Sequence, residues 1–107
     1  LKRLDKDIIN SIEDRHIQII NLCELYNTKV LYIPEVVLDD LYSPKLEIIM
    51  KSLKNKIYKK QSVEWFDVKN ILENQSNIFL DKMHFSENGN EFFSTLLSEK
   101  IKNTYFE

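Results

Sequence analysis

The sequence predicts an α/β fold with parallel strands. The run Val30–Ile33 is apolar at every position, the pattern of a strand buried on both faces. A second run, Val63–Val68, is rich in β-branched and aromatic residues. Between them, Lys45 to Lys60 repeats with a helical period. A strand–helix–strand order joins parallel neighbours through a right-handed crossover.

The elements follow in order. Leu4 to Tyr26 reads as a helix, with Leu4, Ile8, Ile12, Ile19, Cys23 and Tyr26 as its apolar stripe and Asn27 and Thr28 as terminators. Pro34 ends the first strand because it lacks a backbone donor. Glu35 to Pro44 is a mixed loop. The next helix carries Leu46, Ile49, Met50, Leu53 and Ile57 inward, with its lysines on the wet face. "KNILENQSN" is a loop or a short helix. Ser86 begins the last helix, whose apolar stripe is Phe92, Phe93, Leu96, Leu97 and Ile101. Two parallel strands are too few for a free-standing sheet, so further strands are expected from an upstream segment or a partner chain.

A length of 107 residues suits one small domain, and 43% hydrophobic residues supply a core, which excludes a disordered chain. A net charge of −2 from mixed charges argues against a nucleic-acid surface. One cysteine, Cys23, excludes an internal disulfide and a multi-cysteine zinc cluster. No apolar run has the length of a membrane span, and no stretch reads as a signal peptide. The chain opens on Leu1 rather than methionine, so it is expected to continue upstream. Cys23 and Trp65 fall at positions expected to pack in the core, and His16 at a surface or half-buried one.

The stretch "FLDKMHFSENGNEFF", Phe79 to Phe93, holds the candidate chemistry. Asp81, three residues before His84, can hold one ring nitrogen and leave the other as general base for a hydroxyl. Open α/β sheets gather such groups beyond the carboxyl ends of their strands, where the loop after the second strand belongs. Spacing alone describes a solvated loop ahead of a Ser86 helix cap more readily than a catalytic pair. Asp81, His84 and Glu87 also form a conceivable but incomplete metal set. Val37, Leu38 and Tyr42, after the first strand, either line an acyl pocket or merely cover the sheet.

The longer string "DKMHFSENGNEFFSTLLSEKI" resembles the last block of the SGNH hydrolases, the GDSL esterase/lipase family: Asp81, His84, Phe85, Ser86, Gly89 and the helix through Ile101. The resemblance covers nearly the whole chain, but only this block is specific. It implies the C-terminal portion of a single flavodoxin-like, three-layer α/β/α domain spanning residues 1–107. It also implies a serine ester hydrolase acting on a carbohydrate or lipid ester, with Asp81 orienting His84 and no metal or organic cofactor. The family's nucleophile block and its two oxyanion blocks have no counterpart here. The single glycine, Gly89, belongs to the last block. None of Ser11, Ser43, Ser52, Ser62, Ser76, Ser94 and Ser98 sits in a glycine-rich turn after a strand. The serine is therefore expected outside this chain, in the missing N-terminal half or a partner chain, and the chain alone is expected to be inactive. The rival expectation is a non-catalytic α/β interaction domain whose Asp-x-x-His loop is structural.

Overall fold

The computed structural model describes residues 3–34, 44–81 and 84–106. These form two compact units, one holding the chain up to Pro34 and the second helix through Asp67, the other beginning at Val68.

The first unit contains α1 (Arg3–Leu25), β1 (Val30–Tyr32), α2 (Pro44–Ile57) and β2 (Val63–Trp65). The strands pair in parallel with Val30 opposite Val63, Leu31 opposite Glu64 and Tyr32 opposite Trp65. Mixed α/β character and a parallel strand–helix–strand unit are thus as expected. The Val30 amide donates to the Ser62 carbonyl and the Phe66 amide to the Tyr32 carbonyl, each at 2.8 Å. Both strands are shorter than their apolar runs, which predicted Val30–Ile33 and Val63–Val68. Pro34 has no N–H with which to extend the ladder, and Val68 adopts a helical conformation at the start of the next element.

Side chains at alternate strand positions share one face. Val63, Tyr32 and Trp65 pack on a core of Ile20 from α1 and Leu53 and Ile57 from α2, joined by Ile17 and Met50. Tyr32 and Trp65 stack at 4.7 Å between ring centroids and 13° between planes, a cross-strand pair that pins the register. Leu53 is fully buried at the centre of this cluster. Leu53→Ala should therefore cost about 2–5 kcal/mol. Urea unfolding followed by the fluorescence of Trp65, the only tryptophan, reads this unit directly.

α1 ends in a hydrogen-bonded clasp. The Thr28 amide donates to the Cys23 carbonyl at 2.8 Å and the Asn27 amide to the Glu24 carbonyl at 3.0 Å. Asn27 is left-handed, with φ of 55°. This is a Schellman motif with asparagine in the position glycine usually takes.

The face that α1 buries is not the expected one. Ile9, Glu13 and Ile20 are buried, whereas Ile8, Ile19 and Tyr26 are exposed. The helix carries apolar residues on two faces, and the buried face includes Glu13, while Glu24 is half-buried. Lys56 donates to Glu13, and Lys60 donates to Glu24 at 3.1 Å, with the Ser62 hydroxyl also donating to Glu24 at 3.1 Å. Lys51, Lys54, Lys56 and Lys59 are exposed, so the lysines form the wet face expected of them, and from it Lys56 compensates a Glu13 carboxylate that would otherwise be too costly to bury. Lys54 lies 5.8 Å from the Trp65 ring centroid, within cation–π range. His16 is half-buried, its Nδ1 2.7 Å from the Ile12 carbonyl.

The second unit holds α3 (Lys69–Glu73) and α4 (Glu87–Tyr105). Among its described residues, Val68, Leu72 and Ile78 have buried side chains. The helix expected from Ser86 forms as read. Ser86 is extended at the N-cap, and its hydroxyl accepts from the Gly89 amide at 3.0 Å. Phe93 faces back from α4 toward Phe85, 5.6 Å between centroids. No helix among the described residues is long and apolar enough to cross a membrane.

Candidate functional site

The candidate pair lies in the second unit, in the segment between Ile78 and α4. An isolated antiparallel bridge joins Phe79 to Phe85, and their rings meet at 5.4 Å. The Leu80 amide donates to the His84 carbonyl and the Ser86 amide to the Ile78 carbonyl, each at 2.8 Å. The segment is therefore a small hairpin whose tip carries Asp81 and whose returning arm carries His84.

Within that hairpin, Nδ1 of His84 lies 2.9 Å from both Oδ1 and Oδ2 of Asp81. The backbone amide of His84 also donates to Asp81 Oδ1, at 2.8 Å. An ionised carboxylate is acceptor-only, so the contact requires the proton on Nδ1. In neutral imidazole that leaves Nε2 as the acceptor. One aspartate thus sets both the tautomer of His84 and its orientation, through ring and backbone together. The His84 side chain is 70% exposed and that of Asp81 56%, so the pair is open to solvent and its strength is that of a surface contact.

The chemistry available is proton transfer at Nε2. A histidine held in this way can take a proton from a hydroxyl and return it to a leaving group. Among the described residues no group of three or more His, Cys, Asp or Glu side chains could hold a metal ion. Of the residues singled out from the sequence, Asp81 and His84 are brought together, and Ser86 and Gly89 lie at the base of the same hairpin. Val37, Leu38 and Tyr42 lie outside the described residues. Asn77 was missed. It is left-handed, with φ of 59°, and its carbonyl accepts from the Ser86 hydroxyl. An asparagine ahead of a β-like run is a legible turn signal, but nothing in its spacing links it to Ser86.

The site as the structure gives it is a carboxylate-held histidine in a hairpin ahead of a capped helix. No family model, no curated protein and no solved structure matches the chain.

Proposed function

We propose that the chain is the C-terminal part of a serine ester hydrolase of the SGNH/GDSL type, with a flavodoxin-like three-layer fold in the complete domain. The observation that carries this reading is the contact of His84 Nδ1 with both Asp81 carboxylate oxygens at 2.9 Å, in a segment that resembles the family's last block. The nucleophilic serine and the oxyanion donors come from the N-terminal half of the domain or from a partner chain. The exposed apolar side chains Ile8, Ile19 and Leu22 on α1 are consistent with a covering layer of that kind.

In this reading His84 Nε2 removes the hydroxyl proton as the serine oxygen attacks the ester carbonyl. The imidazolium, stabilised by Asp81, returns the proton to the departing alkoxide, leaving an acyl-serine. Water then repeats the sequence, releasing the acid and restoring the serine. The substrate is an ester of a carbohydrate or lipid, and no cofactor takes part.

The rival reading is a non-catalytic interaction domain. It draws on the backbone bond from His84 to the same carboxylate, which would brace the loop without any reaction. Assaying the complete protein on a small activated acetate ester separates the two. Turnover, with labelling by phenylmethylsulfonyl fluoride outside residues 1–107, is expected. The isolated chain should show neither. Absence of turnover and labelling in the complete protein would leave the interaction domain as the better account.

A further inference from the structure

The chain's single glycine sits where no other residue fits. A Cβ built on Gly89 would lie 2.0 Å from the Ile78 carbonyl oxygen and 2.9 Å from its carbon. Both are backbone atoms, so relief requires a backbone to move. Gly89 is in the first turn of α4 and is buried.

The carbonyl it touches is the hinge pin of the hairpin. Ile78 O accepts from the Ser86 amide at 2.8 Å and from the Ser86 hydroxyl at 3.1 Å. The same hydroxyl accepts from the Gly89 amide at 3.0 Å and reaches the carbonyl of the left-handed Asn77. One residue further along each arm, Phe79 bridges Phe85. One further still, Leu80 donates to His84 O, and His84 donates to Asp81. The path from Gly89 to the imidazole is therefore continuous: Gly89, Ile78 carbonyl, Ser86, Phe79–Phe85 bridge, His84 and Asp81.

We propose that Gly89 is a positioning residue for His84, its missing side chain letting α4 close on the Ile78 carbonyl and so lock the imidazole against Asp81 as the Nδ1–H tautomer. A side chain at position 89 pushes the Ile78 carbonyl away from Ser86. The Phe79–Phe85 bridge then loses its base, and Asp81 and His84 lose the common frame that aligns ring and backbone bonds. Asn77 contributes by presenting two successive carbonyls to one hydroxyl. The catalytic role of His84 rests on the ester-hydrolase reading above; the lock does not.

The test reads the ring nitrogens directly. In ¹⁵N-labelled chain, long-range ¹H–¹⁵N correlation spectra of the neutral imidazole should show His84 with a protonated Nδ1 and an unprotonated Nε2. Gly89→Ala should convert this to a mixture of tautomers, with the Phe79 and Phe85 amides shifted and the amides of β1 and β2 unmoved. His16, in the other unit, serves as the internal control. Retention of the single Nδ1–H form in folded Gly89→Ala would overturn the proposal. Should that variant fail to fold, Ser86→Ala decides, because it removes the hydroxyl link while leaving the backbone free of a clash. Loss of the tautomer preference in it supports the lock, and an unchanged His84 spectrum overturns it. Ser86→Thr, which keeps the hydroxyl, should restore the native spectrum. These spectra need no turnover, so failure of the lock is distinguishable from absence of esterase activity in the complete protein.

Discussion

His84→Ala in the complete protein should lower kcat/KM on a small acetate ester by roughly 10⁴–10⁶-fold, about 5–8 kcal/mol of transition-state stabilisation. The size follows from the role. Under the proposed ester-hydrolase reading, the serine without the imidazole has no base, and what remains is binding and the oxyanion donors. Asp81→Asn should cost about 10⁴-fold, although asparagine is nearly the same shape. Its amide can present an N–H toward Nδ1, which favours the tautomer with the proton on Nε2, where it cannot act as base. A merely structural loop would give a different result. Both variants would then change thermal stability and leave kcat/KM within a few-fold of wild type, and the proposed mechanism would be wrong. Circular dichroism on the same samples separates loss of chemistry from loss of fold.

Lys56→Met should destabilise the first unit by about 2–3 kcal/mol at neutral pH, and Glu13→Gln by only about 1 kcal/mol. The asymmetry lies in burial. The Glu13 side chain is 2% exposed and that of Lys56 47%. Removing the glutamate leaves an ammonium that reaches water, whereas removing the lysine strands a carboxylate. Burial pushes the Glu13 carboxyl up, but hydrogen bonds from Lys56 and Ser52 and the charge of Lys56 overcome it and hold the group below its ordinary value of 4.5. In the wild type this contact stabilises above pH 4.5 and is lost as pH falls through the lower folded value. At Glu24 the hydrogen bond from Lys60 and then that from Ser62 outweigh burial and act in the same direction. Once Lys56 is gone, burial dominates at Glu13 and its folded value rises above the unfolded one. That group's contribution then reverses sign, favouring the fold at low pH and disappearing as pH rises through the raised value. The gap between wild type and Lys56→Met should therefore be small near pH 4 and widen toward pH 7. Urea midpoints from Trp65 fluorescence across that range give the answer, and a gap independent of pH would mean that Glu13 is not the stranded group.

Local signals in the sequence were enough for the order of the elements and for the end of α1 and the start of α4. Asn27 stops α1 through bonds that span at most five residues, and Ser86 starts α4 through a bond spanning three. The strand–helix–strand order around α2 implied parallel pairing, and β1 and β2 are parallel. Asp81 and His84 were likewise legible, because a three-residue spacing lets a side chain meet both ring and backbone of its neighbour.

The face of α1 could not be read that way. Two apolar stripes compete on that helix, and the winner contains Glu13, whose partner Lys56 lies 43 residues away. Periodicity treats a glutamate as a mark of solvent, while the folded chain neutralises it with a lysine from α2. Gly89 shows the same limit from the opposite side. Its motif was visible, but the need for glycine arises from the carbonyl of Ile78 pressed against it, a contact made only when the hairpin closes. Hydrogen bonds between near neighbours are determined by the sequence itself, since both partners travel together along the chain. Burial, charge compensation and close backbone approach are decided by whichever distant segment arrives, and only the tertiary structure supplies that neighbour.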